Sequence, residues 1–143
     1  MIELIAAFTI LALLSGMAVP LTRYKVRRDK ERDLRAALTE IRRAINMYKD
    51  AATANRFQVK VGTEGYPETL EVLVEGVQTN DAAGTKLKFL RRIPRDPMTK
   101  GFDWGIRSMK DDPKSQSWSG DNVFDIHTKS YERARDGTPY AEW

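Results

Sequence analysis

Cysteine is absent from the 143 residues. No disulfide staples the fold, and no thiol is available as nucleophile or metal ligand, which is compatible with any compartment. Histidine is nearly absent: His127 is the only one. No serine-nucleophile motif, metal-ligand cluster or phosphate-cradling glycine loop accompanies it, so an enzyme is not expected. His127 falls two residues after Asp125 in a predicted strand, on the same face, where the two side chains could touch; the reading is a structural histidine. No internal repeat and no low-complexity tract appears. Charge is missing from residues 4–21, eighteen positions in a row, and no Lys or Arg precedes them.

That uncharged run, within MIELIAAFTILALLSGMAVPL, is the feature around which the chain is organised. As a helix it measures roughly 27 Å, close to the hydrocarbon thickness of a bilayer. It fits a cleaved secretory signal poorly, because a basic start and a small-x-small end are both lacking. A plain membrane anchor fits it. Glu3 stands at its edge, where an unpaired carboxylate costs a few kcal/mol, so a partner is needed. Gly16 and Pro20 weaken it near its end: Pro20 offers no donor to the carbonyl of Gly16 and its ring clashes there.

Beyond the run about 120 residues remain, enough for one small domain with a modest core. The net charge is +4, and residues 23–50 hold ten Lys/Arg against five Asp/Glu. Arg23-Tyr24-Lys25-Val26-Arg27-Arg28 contains no acid. It could meet anionic headgroups, nucleic-acid phosphates or a neighbouring subunit, or be a solvated face. No stacking platform or base-reading motif supports nucleic acid. Leu34, Leu38, Ile41, Ile45 and Tyr48, widened by Ala37, Ala44, Ala51 and Ala52, form one helical stripe. The two halves predict a single helix of about fifty residues, far longer than a globular helix usually runs.

Residues 54–66 read as a loop. A short helix is predicted from Pro67, with Leu70, Leu73 and Val74 on one face and Gly76 at its end. Residues 78–85 read as a second loop, and Leu87, Phe89 and Leu90 as a brief strand or turn. Ile93-Pro94-Arg95-Asp96-Pro97 excludes a central strand. Phe102, Trp104, Ile106 and Ser108 alternate as a half-buried strand would, and Val123-Phe124-Asp125-Ile126-His127 predicts its antiparallel partner across a long loop. Tyr131, Tyr140 and Trp143 predict a tail that folds back.

Met1-Ile2-Glu3-Leu4-Ile5 resembles the L-I-E-L core at the mature N-terminus of the type IV pilin and pseudopilin superfamily. Met1 stands for the first leucine, and Pro20 lies at the family's spacing from the glutamate. Ala-Ile-Asn-Met-Tyr-Lys at 44–49, Gly-Tyr-Pro at 65–67 and the Pro-Arg-Asp-Pro element at 94–97 are similar to the major pseudopilin of type II secretion. The resemblance implies an α+β, pilin-like fold. Its parts are a filament-core or transmembrane helix over 1–22, an amphipathic continuation over 23–53, and an αβ loop, small antiparallel sheet and tail over 54–143.

The same resemblance implies a function. The chain would be a structural subunit of a helical pseudopilus, driving or scaffolding protein export across the outer membrane. Glu3 would pair with the N-terminal amine of a neighbouring subunit, the position of Met1 here, although mature chains of the family carry two further residues ahead of it. Residues 16–20 would unwind in the filament. Implied partners are further copies of the chain, minor pseudopilins, an inner-membrane assembly platform and a prepilin peptidase that also N-methylates the new terminus. The subunit would wait in the bacterial inner membrane with its globular part in the periplasm. The positive-inside rule applied to residues 23–28 gives the reverse orientation, before the basic leader of a precursor is counted. Major pseudopilins also bind calcium in an Asp- and Gly-rich loop. Asp121, Asp125 and Asp136 are the candidates here, but the dense run is lacking, and aromatic packing of the tail is the preferred substitute. The alternatives are a type IV pilin of a surface filament, disfavoured by the missing cysteine pair, and a single-pass membrane protein that does not polymerise.

Overall fold

Helix α1 spans Ile2–Thr53, as the two consecutive patterns predict. The computed structural model describes residues 1–16 and 22–143. It is α+β, one long helix followed by short elements paired in small antiparallel sheets. The chain divides into two compact units, Met1–Asp33 and Leu34–Trp143.

In the first unit the apolar side chains face outward. Leu4, Ile5, Phe8, Leu11, Leu13 and Leu14 are each about 60% exposed or more. Further on, Arg27 pairs with Glu31 at 3.5 Å, and Arg32 meets both Asp29 and Asp33. The pairs at i,i+3 and i,i+4 spacing, Arg32–Asp29 and Arg27–Glu31, contribute about 0.2–0.5 kcal/mol each.

In the second unit the stripe is buried throughout. Leu34, Leu38, Ile41, Ala44, Ile45 and Tyr48 are nearly inaccessible, with Ala37, Ala51 and Ala52 beside them. Each large aliphatic contributes about 1.5–3 kcal/mol by leaving water. The helix ends in a Schellman motif. Asn55 adopts φ 52°, its N–H donates to the Ala52 carbonyl, and the Arg56 N–H donates to the Ala51 carbonyl.

Helix α2 is Leu70–Glu75, not a helix beginning at Pro67. The Pro67 carbonyl accepts the N–H of Val123, and Thr69 is extended, which delays the first helical turn. Gly76 closes α2 at φ 82°, with room for nothing larger: a Cβ there would lie 2.6 Å from the Leu87 carbonyl. Strands β1 (Val77–Gln78) and β2 (Lys86–Leu87) form a hairpin where the sequence reads mostly as loop. Asp81 organises its tip. Its carboxylate accepts the Thr79 hydroxyl, the Thr85 hydroxyl and the Thr85 N–H at 2.7–3.0 Å, which holds its pKa below the usual carboxylate range.

Strands β3 (Gly105–Arg107) and β4 (Asp125–His127) pair antiparallel as predicted, but each is only three residues long. The predicted face is also wrong at its start. Phe102 is 64% exposed, while Trp104, Gly105, Arg107 and Ser108 are buried. The chain is still turning at Phe102, because buried Asp96 ties the preceding segment into a loop. The Asp96 N–H donates to the Gly101 carbonyl, the Lys100 N–H to the Asp96 carbonyl, and its carboxylate accepts from Met98 N–H and the Thr128 hydroxyl. In the tail Tyr140 is buried in a single 3-10 turn, Tyr140–Glu142, as a returning tail requires. Tyr131 does not join it and remains 88% exposed.

Candidate functional site

Glu3 lies in the first turn of α1, where a carboxylate is favoured by the helix dipole. It is exposed, as is Met1, whose carbonyl accepts the N–H of Ile5. Over residues 4–16 the apolar side chains are exposed on every side of the helix, not along a single stripe. Gly16 is also open, with nothing near the position a Cβ would take. Pro20, the other half of the expected helix break, lies outside the described residues. Among the described residues no helix is long and apolar enough to cross a membrane.

The three calcium candidates are not brought together. Asp121 pairs with Lys110 at 3.2 Å, and the Asp125 carboxylate is gripped by Arg42 at 2.6 and 3.1 Å. Asp136 accepts the Thr138 N–H across its own turn, which keeps its pKa low. Among the described residues no group of three His, Asp or Glu side chains is placed to share an ion. A hard cation needs six or more converging oxygens, and these acids already have other partners.

The expected His127–Asp125 contact is also replaced. Asp125 turns to Arg42, and the His127 ring stands over its cross-strand partner Gly105, where a Cβ would come within 2.3 Å of the imidazole. His127 is buried and its Nδ1 has no hydrogen-bond partner. Burial, then the nearby Arg107 guanidinium, pushes its pKa down to about 4, so the ring is neutral at physiological pH. An uncharged imidazole packed on glycine serves packing.

A cluster that sequence reasoning missed pins the tail. Besides Asp125, Arg42 donates to the main-chain oxygen of Trp143 at 2.7 Å. Arg35 lies over the Trp143 indole, 4.3 Å from its centroid, and the Tyr140 and Trp143 rings meet edge to face. Arg107 is buried and donates to the carbonyls of Ser115 at 2.7 Å and Ala141 at 2.9 Å, joining β3, the long loop and the tail. Arg35 and Arg42 flank the apolar stripe at helical spacing, and the tail is aromatic. Those two signals together could have suggested the pairing; nothing local marks Arg107 as buried. Compared with protein-family models, curated proteins and solved structures, the chain gives no match.

Proposed function

We propose that this chain is a structural subunit of a pilin-like filament, most similar to the major pseudopilin of type II secretion. The observation that carries the reading is the contrast within α1. Its first turns present apolar side chains all round, headed by a single acid, while the apolar stripe of its later turns is buried in the domain's own core. A helix apolar on all sides needs a solvent other than water. A bilayer provides it before assembly, and a bundle of identical helices provides it afterwards. Glu3 then marks the register: a carboxylate in such a bundle requires a cation, and the terminal amine of a neighbouring copy is the cation at the same depth.

In this reading the subunit rests in the inner membrane with its second unit in the periplasm. A prepilin peptidase, an assembly platform and minor pseudopilins act on it there, and the resulting filament drives or scaffolds protein export. The role is structural, not catalytic. The sequence elements at 44–49, 65–67 and 94–97 favour this over a surface type IV pilin. Electron cryomicroscopy of filaments sheared from cells overproducing the chain tests it. Helical filaments with α1 at the centre and Glu3 facing a neighbour's amine are expected. A folded monomer confined to membrane fractions while the secretion machinery is active would overturn it.

A further inference from the structure

Immediately beyond the uncharged run, residues 22–28 contain four cations and no acid. All seven residues are exposed on α1, including Tyr24 and Val26. Asp29 is the first acid after the run. We propose that residues 22–28 form a collar that binds anionic phospholipid headgroups while the subunit is in the bilayer. The inference rests on the membrane stage of the function proposed above.

Two geometric facts favour lipid. The first is thickness. From Arg23 to Arg28 the helix rises about 7.5 Å. The headgroup region on each side of a bilayer, taken from the total and hydrocarbon thicknesses, is about 5–8 Å. The second is angular spread. At about 100° per residue, Arg23, Arg27, Arg28 and Lys25 project at roughly 0°, 40°, 140° and 200° around the axis. Further on, Asp29 lies at roughly 240° and Lys30 at roughly 340°, and Arg27 also pairs with Glu31. Before assembly, a single protein partner approaches a helix from one side and selects charges grouped on one side. A lipid leaflet surrounds the helix and meets charges at every angle. Tyr24 belongs in the same layer, with its ring toward the acyl boundary and its hydroxyl in the headgroups.

The competing partner is an acidic protein surface. Residues 61–85 of another copy supply one, with Glu64, Glu68, Glu71, Glu75 and Asp81 and no Lys or Arg. The circumferential spread of the cations argues against it.

The test uses the full chain reconstituted in vesicles of phosphatidylcholine alone and of phosphatidylcholine with phosphatidylglycerol. Resistance to alkaline carbonate extraction reads membrane insertion. Native mass spectrometry of the extracted protein reads which lipids it retains. The variants are Arg23→Gln/Lys25→Gln/Arg28→Gln and a charge-matched control, Lys86→Gln/Arg91→Gln/Arg92→Gln. Both should insert in both vesicle types. The wild type and the control should retain phosphatidylglycerol in preference to phosphatidylcholine. The collar variant should lose that preference, by about fivefold for each cation removed at low salt. Equal loss in the control, or an undiminished preference in the collar variant, overturns the collar. Chemical cross-linking between copies in the same vesicles is the third readout: a collar variant that keeps its lipid preference but loses cross-links present in the wild type overturns the collar and assigns these residues to an acidic protein surface. Failure of the wild type to insert in either vesicle overturns the membrane stage itself, and the collar with it.

Discussion

The two ends of α1 share leucine and isoleucine and bury them oppositely. Leu11, Leu13 and Leu14 are each about 60% exposed, whereas Leu34, Leu38 and Ile41 are 2% exposed or less. The difference lies in arrangement. At the far end, apolar residues recur on one face and charged ones on the other, so one small domain satisfies the stripe completely. At the near end they surround the helix, and no single domain of this size could cover them. A hydrophobic stripe is therefore a statement about the chain's own fold, and a hydrophobic cylinder is a statement about its surroundings.

That contrast can be tested most severely at Glu3. Glu3→Ala should abolish filament formation while leaving membrane insertion and the folding of the second unit unchanged; filaments formed at the wild-type rate would sink the proposed role. Next comes a matched pair of truncations. Ile41→Ala should lower unfolding stability by about 2–5 kcal/mol, since Ile41 is wholly buried. Leu11→Ala should leave the stability of the detergent-solubilised subunit within about 0.5 kcal/mol. Similar losses in the two, followed by denaturant unfolding, would erase the distinction between the two ends.

The domain core also carries a pH signature. The folded-state pKa of His127 is depressed from 6.5 to about 4, so the unfolded chain binds the extra proton between those values. Stability from this residue is complete above about pH 6.5 and falls as the pH drops toward 4, by about 3 kcal/mol in all. Urea midpoints measured from pH 7.5 to 4 should show the decline, and His127→Gln should flatten it. A smaller effect is expected at the tail. Arg42→Ala releases Asp125 and the Trp143 oxygen together and should cost about 1–2 kcal/mol, with a Trp143 fluorescence change as the local readout. Smallest of all, Arg27→Ala should shift stability by no more than about 0.5 kcal/mol, because its bond to Glu31 is largely solvated.

Much of the fold was legible in the sequence because it is written in periodicity. The buried stripe of α1, the pairing of β3 with β4 and the return of Tyr140 all follow from the spacing of apolar residues. What escaped was set by contacts distant along the chain. The start of α2 depends on Val123 holding the Pro67 carbonyl. The two-residue strands β1 and β2 are too short to show any alternation, and their hairpin is held by Asp81 instead. Phe102 looked like part of a strand because the turn around Asp96 is fixed by Thr128, far along the chain. For the candidate site, Glu3 stood out by its contrast with its neighbours. The calcium candidates were chosen by residue type alone, and the cations that occupy Asp121 and Asp125 could not be read from their spacing.

The Arg42 clamp has a consequence for biosynthesis. It joins residues 101 positions apart. Arg107 likewise waits for the Ala141 carbonyl, and Asp96 for the Thr128 hydroxyl. A chain emerging from the ribosome can wind α1 at once, but the Arg42 clamp cannot form until Trp143 has been delivered. Until then the stripe of residues 34–52 lacks part of its cover, and a growing chain exposes apolar surface that the folded domain buries. The three long-range contacts therefore close last, and the stripe is fully shielded only once they have formed.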